Sequence, residues 1–271
     1  MRRLLLPLLL LATGTAWALA ADPAPRPIQR ELLRLPTRTG VIQPVLLLTE
    51  SSAPKVVAII FPGGPGIQNL LRRPLEAVLG PRGNFLVRSA ETLLSPEVAV
   101  AIIDCPSDQT QGMEDTFRSS AAHASDIRAI IAALRARFQG TKVHLVGTSR
   151  GTVSAAYIAE ALGPEVDGVV LTSSVFRASR SGAGLEFFRF ERLKTPLLLV
   201  HHAEDDCPVC PYGEARKLSA KAPLITVRGS VEPESGPCDP LSNHGYFGRE
   251  AATVKAIRGW ILGQPFEREI P

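Results

Sequence analysis

Apolar residues fall along this chain in short unbroken runs, separated by longer stretches where they recur every three or four positions. Val56-Val57-Ala58-Ile59-Ile60-Phe61 is a run of mostly β-branched residues that stops at Pro62-Gly63-Gly64-Pro65-Gly66. Val98 to Ile103, Val143 to Val146, Gly168 to Leu171 and Pro196 to Val200 repeat the pattern, and Leu224 to Val227 is a shorter last run. Runs without polar alternation predict strands covered on both faces, as in a parallel sheet. Between them, Ala121 to Phe138 sets Ile127, Ile130, Ile131 and Leu134 at helical spacing, and Gly140 closes the segment. Residues 152–162 and 248–262 read as two further helices, and residues 29–49 as an opening hairpin with Val45 to Leu48 in one strand. Strands alternate with helices, so the predicted class is α/β, a mostly parallel central sheet flanked by helices.

The first twenty residues stand outside that pattern. Met1-Arg2-Arg3 is a basic start, Leu4 to Leu11 is apolar apart from Pro7, and Ala18-Leu19-Ala20 offers small residues at a cleavage point. This is the layout of a signal peptide over residues 1–20, with one domain over 21–271, and it predicts an exported protein, periplasmic or secreted. The apolar stretch is shorter than the roughly 20 residues a membrane span needs, so no stable span is expected after cleavage. The net charge of +4 includes Arg2 and Arg3 and falls to +2 without them. No basic stripe interleaved with aromatics appears, which argues against a nucleic-acid partner. All four cysteines lie beyond the leader, and export makes disulfides permissible.

Gly147-Thr148-Ser149-Arg150-Gly151 fits G-x-S-x-G, with an apolar strand before it and a helical stretch after it. A serine at such a turn sits in strained backbone with its hydroxyl above the sheet edge. The residues two before and two after must be small because other backbone passes close. A hydroxyl needs a base to take its proton. Of the five histidines, His123 near a helix start reads as a solvated surface residue, and His144 as pointing into the sheet flank. His201 and His202 close a strand, where packing roles are expected. Only His244 lies after the last predicted strand, Leu224 to Val227, and before the closing helix, where the order serine, acid, histidine requires the base. The acid is sought in Glu204-Asp205-Asp206, just past the strand ending at Val200, with Asp205 preferred and its two neighbours open. Backbone donors for a tetrahedral oxyanion are expected at Arg150, which follows the serine, and at Gly64, since Pro65 has no N–H. This chemistry calls for no cofactor and no metal.

Together these segments resemble the α/β-hydrolase superfamily over roughly Val45 to Leu262. Pro62-Gly63-Gly64-Pro65-Gly66 is similar to the H-G-G-P-G oxyanion segment of proline iminopeptidase-like members, with Pro62 where histidine is usual. Leu199 to Asp205 resembles the family's V-H-G-x-x-D acid loop, a match that assigns Asp205, and His244-Gly245 resembles its histidine turn. The resemblance implies the α/β-hydrolase fold and a serine hydrolase with Ser149, Asp205 and His244 as its triad. The family's substrate lid would fall within Ser173 to Thr195, which is short enough to imply a loop or an absent cap. The expected partner is a small-molecule ester or amide. Hydrolysis of a carboxylic ester or thioester is the first expectation, with a peptidase or amidase, or a catalytically silent binding protein of this fold, as alternatives. In the implied fold the acid and histidine loops are neighbours, so a Cys207–Cys238 disulfide would tie them together. Cys210 could replace Cys207 in that pair, Cys207-Pro208-Val209-Cys210 also reads as C-x-x-C, and Cys105 is expected to be a free packed thiol.

Overall fold

A computed structural model describes residues 27–229 and 231–271. The proposed signal peptide, residues 1–20, lies outside the described residues. The chain builds one nine-stranded sheet in the order β1-β2-β4-β3-β5-β6-β7-β8-β9. Its strands are β1 Gln29–Arg38, β2 Val41–Thr49, β3 Val56–Phe61, β4 Val98–Ile103, β5 Lys142–Thr148, β6 Gly168–Thr172, β7 Leu197–His202, β8 Leu224–Val227 and β9 Glu269–Ile270. β1 and β2 form an antiparallel hairpin, β2 pairs antiparallel with β4, and every later pairing from β4 to β9 is parallel.

Covered strands must bury both of their side-chain rows, and β3 shows how. Val57, Ile59 and Phe61 enter one apolar cluster, while Val56, Ala58 and Ile60 enter another on the opposite face. The long helices α5 (Ala121–Arg137) and α6 (Gly151–Leu162), with α7 (Tyr212–Leu218), cover the first face. The short helices α1 (Leu75–Val78), α2 (Phe85–Arg88) and α3 (Ala90–Leu93), with α8 (Glu250–Ile261), cover the second. One further short helix, α4 (Asp115–Arg118), stands before α5. The predicted long helices and strands are present, with ends shifted by up to two residues, except that β2 begins four residues before the predicted Val45. The five short helices α1–α4 and α7 and the two-residue strand β9 were not foreseen. Ser173 to Thr195 carries only a 3-10 turn at Phe190–Arg192 and an isolated bridge between Ser179 and Gly182, so the described residues form no cap domain there. No described helix is long and apolar enough to cross a membrane.

His123 departs from expectation. It is fully buried, with its Nε2 3.1 Å from Ser154 Oγ and its ring packed between Phe61 and Phe117. The Ser120 hydroxyl caps α5 by accepting from the His123 N–H, which turns this side chain inward beneath α4. His144 packs edge-on against Trp260, and His201 Nε2 accepts from the Ser174 N–H at 2.7 Å.

Burial of these three imidazoles disfavours their charged forms. It holds His123 down to about 3, with Arg118 and Arg38 repelling in the same sense, and holds His144 and His201 down to about 4. An unfolded histidine protonates near pH 6.5, so below about pH 6.5 the unfolded chain binds more protons than the folded one. Stability should therefore fall as pH drops from about 6.5 to about 4, by up to about 1.4 kcal/mol per pH unit for each group. His144→Gln removes one such group. Urea unfolding at several pH values in that window should show a shallower fall for the variant than for the parent, and identical slopes would contradict the assignment.

Candidate active site

β5 runs directly into α6, and the two meet at Ser149. The turn is tight because backbone packs on backbone. A Cβ on Gly147 would lie 2.5 Å from the Gly151 carbonyl oxygen, and one on Gly151 would collide with the Phe61 carbonyl. Ser149 takes the left-handed conformation with φ 51°, a strain that non-glycine residues adopt rarely and mostly at functional turns. Its N–H donates to Thr172 O at 3.0 Å, and its carbonyl accepts from the Thr152 N–H and hydroxyl. These bonds leave the side chain facing a cavity of about 560 Å³ that His244, Gly63, Gly64 and Asn84 also line.

His244 sits in a 3-10 turn, Asn243–Gly245, that side chains hold from below. A Cβ on Gly245 would collide with the Pro240 carbonyl, so the turn closes only with glycine there. The Ser173 hydroxyl donates to His244 O at 2.7 Å, and Arg88 Nη2 donates to Gly245 O at 2.7 Å. The His244 ring is buried, with Nδ1 3.0 Å from Asp205 Oδ2. Its other nitrogen, Nε2, is also buried and has no hydrogen-bond partner among the described residues. Among the three acids weighed from sequence, only Asp205 meets His244. The Asp205 carboxylate is fully buried, with Oδ1 accepting from the Cys207 N–H at 2.9 Å. Glu204 is exposed toward His202 and Arg228, and Asp206 is exposed beside Pro233 and Asn243.

A disulfide joins Cys207, two residues past Asp205, to Cys238 on the cavity wall, six residues before His244. Cys105 and Cys210 are free and buried. Burial pushes both thiols up, Cys105 to about 12 and Cys210 well above the ordinary range. Cys207, Cys210 and His244 are also the one trio among the described residues with metal-ligand spacing. The disulfide removes Cys207 from that set, because its sulfur is not a thiolate, and His244 Nδ1 is engaged by Asp205.

Gly64 lines the same cavity as Ser149, Arg150 follows the serine in the chain, and no described residue accepts from either backbone N–H. Gly64 has φ 56° and open space where a side chain would stand. Sequence reasoning missed the residues that hold this loop. Asp104, at the end of β4, accepts from the N–H groups of Gln68, Leu70 and Cys105 at 2.7–2.8 Å. Asn84, before α2, makes no capping bond and leaves its buried Oδ1 without a partner. Arg118 is fully buried and donates to Gly64 O. No local motif marks Asp104 or Arg118, since both bond the loop across a long separation in sequence.

No family model matches the chain, and no curated protein matches it in sequence. Solved structures do resemble it. An alpha-beta serine hydrolase homologue from Coxiella burnetii superposes with a TM-score of 0.55 at 15% identity, covering 87% of this chain and 96% of that one. Est1E from Butyrivibrio proteoclasticus gives 0.57 at 15% identity over 86% and 98% of the two chains. XC6422 from Xanthomonas campestris, described as an a/b serine hydrolase without lid, gives 0.52 at 20% identity over 87% and 93%. At such identities the likeness establishes architecture, and the protein has the α/β-hydrolase fold.

Proposed function

We propose that the chain is an exported serine hydrolase that cleaves a carboxylic ester or thioester, with Ser149, Asp205 and His244 as its triad. The observation that carries the reading is His244, bonded through Nδ1 to Asp205, with no described partner at its buried Nε2, on the cavity that Ser149 also lines. A carboxylate accepts only, so it places the proton on Nδ1 and leaves Nε2 as a base. In the proposed reaction Nε2 takes the Ser149 hydroxyl proton as Oγ bonds to the substrate carbonyl carbon. The negative charge that develops on the carbonyl oxygen is met by the Gly64 and Arg150 N–H groups. The bond to the leaving alcohol or thiol then breaks, and the imidazolium returns its proton to that group. A water molecule repeats the sequence on the acyl-serine and releases the acid.

The cap-free Ser173 to Thr195 segment supports an ester over a peptide, because no helical lid is present to read an amino terminus. Export rests on the leader-like N-terminus and agrees with a disulfide beside the site. A panel of p-nitrophenyl esters and aminoacyl anilides tests the substrate class. Ester turnover should dominate, and faster release from the anilides would favour the amidase alternative.

Ser149→Ala should lower ester turnover by roughly 10⁶-fold, leaving only the residual rate that binding and oxyanion donors supply. Its melting temperature should match the parent's, and retention of a few per cent of activity would remove Ser149 from the role. Asp205→Asn should lower kcat by about 10⁴, because an amide no longer imposes the right tautomer on the imidazole. The exposed Asp206→Asn should change kcat little. The reverse ranking of these two variants would transfer the acid role to Asp206.

A further inference from the structure

The two backbone donors come from segments far apart in the chain, the loop after β3 and the first residue past Ser149. Neither lies in a hydrogen-bonded strand or helix interior that would fix it. Both are tied to one short element, α4 and the two residues before it. Arg118 Nη2 donates to Gly64 O at 3.0 Å, and the Met113 N–H donates to Pro65 O at 2.9 Å. Gly66 belongs to the same contact, since with φ 83° a Cβ there would stand 2.6 Å from Met113 Cε and 2.9 Å from Arg118 Nη2. On the other side the Arg150 guanidinium bonds Asp115 Oδ1 through Nε at 3.1 Å and Nη2 at 2.9 Å, and Met113 O at 3.1 Å. Asp115 is itself fixed, accepting from the Gly184 N–H at 2.9 Å.

Arg118 is the unusual member. A guanidinium with no exposed surface is costly in a protein interior, and this one bonds no carboxylate. Its acceptors are Gly64 O, Met113 O and Ser154 Oγ, the last shared with His123. Five N–H donors in a rigid fork suit it to grip several oxygens at fixed relative positions, which a lysine cannot do.

We propose that Arg118, Asp115 and the Arg150 side chain form a single brace, centred on α4, that sets the spacing between the Gly64 and Arg150 N–H groups. They are positioning residues that act on the reaction through those two donors, and the proposal rests on the hydrolase reading above. Preorganised donors stabilise charge only where they point at its final position, and a displacement of about 1 Å at a reacting centre can cost about 10²-fold in rate. The brace joins the two donors without passing through the sheet.

The test uses Arg150→Met, Asp115→Asn, their double variant and Arg118→Lys, with the parent and Ser149→Ala as references. Arg150→Met keeps the backbone donor and removes the side-chain grip on Met113, Glu114 and Asp115, together with one bond to Ser181 O. Expected is a 10- to 100-fold fall in kcat for Arg150→Met and for Asp115→Asn with KM within about twofold. The double variant should be no worse than the poorer single one, since both remove the same link. Affinity for a boronic acid, which forms a tetrahedral serine adduct, should fall with kcat. The pH profile of kcat/KM should keep its shape, because His244 and Asp205 are untouched. Arg118→Lys tests the grip on Gly64 with charge retained and should show the same kcat effect. If that buried change prevents folding, the Arg150 and Asp115 variants decide alone. Folded variants with the parent's kcat, or a loss confined to KM, would overturn the brace while Ser149→Ala still abolishes turnover. A parent that hydrolyses no ester, or a Ser149→Ala variant as active as the parent, would overturn the hydrolase reading and the brace with it.

Discussion

The first turn of α6 rests on bare backbone at the end of β3, and the geometry of the site follows from that contact. No side chain fits at Gly151 because the Phe61 carbonyl occupies the space, and none fits at Gly147 because Gly151 occupies it. The chain between them must reverse within three residues, so the central one, Ser149, takes φ 51°. The same approach brings the loop after β3 beneath the serine. A Cβ on Gly63 would stand 3.0 Å from Ser149 Cβ, a tight approach between the two segments. The strained serine and the glycine-rich loop beside it are therefore one constraint seen from two segments. An alanine at Gly151 would push α6 away from β3, and one at Gly147 would push it away from β5, in either case carrying Ser149 with it.

Around that contact the loops are held by side chains donating to carbonyl oxygens. Arg88 grips the histidine turn through Gly245 O and Pro240 O, and Arg118 grips the loop after β3 through Gly64 O. Tyr246 spans the sheet end, with its hydroxyl donating to Val200 O and accepting from the Ser173 N–H. Burial of these groups works against their charged forms, lowering the arginines from their usual range and raising the tyrosine. Such interior polar bonds contribute modestly to stability when made and cost heavily when one partner is removed. Their location around Ser149 and His244, on loops that the sheet itself does not order, is where positional accuracy matters most to the proposed chemistry.

The parts legible from sequence were those whose cause is local. β3, β4 and β5 announce themselves as apolar runs because both faces are covered, and the Ser149 turn announces itself because its glycines sit within two residues of it. His244 was singled out by its place between the run Leu224 to Val227 and the closing helix. The rest depends on contacts that sequence does not display. α4 is four residues long and is fixed by Arg150, Gly184 and the β3 loop, so it has no periodicity to detect. His123 looked like a surface residue from its position near a helix start, yet Phe61, Phe117 and Ser154 enclose it. The choice among Glu204, Asp205 and Asp206 turned on the extension of β7 to His202, after which only Asp205 faces back to His244.

The central claim is that Ser149 is a nucleophile activated by His244. A fluorophosphonate that reacts only with activated serines, followed by peptide mass spectrometry, tests it without any assumption about substrate. One adduct per chain is expected, located on Ser149 and lost when His244 is replaced by alanine. No adduct, an adduct on another serine, or equal labelling without His244 would contradict it.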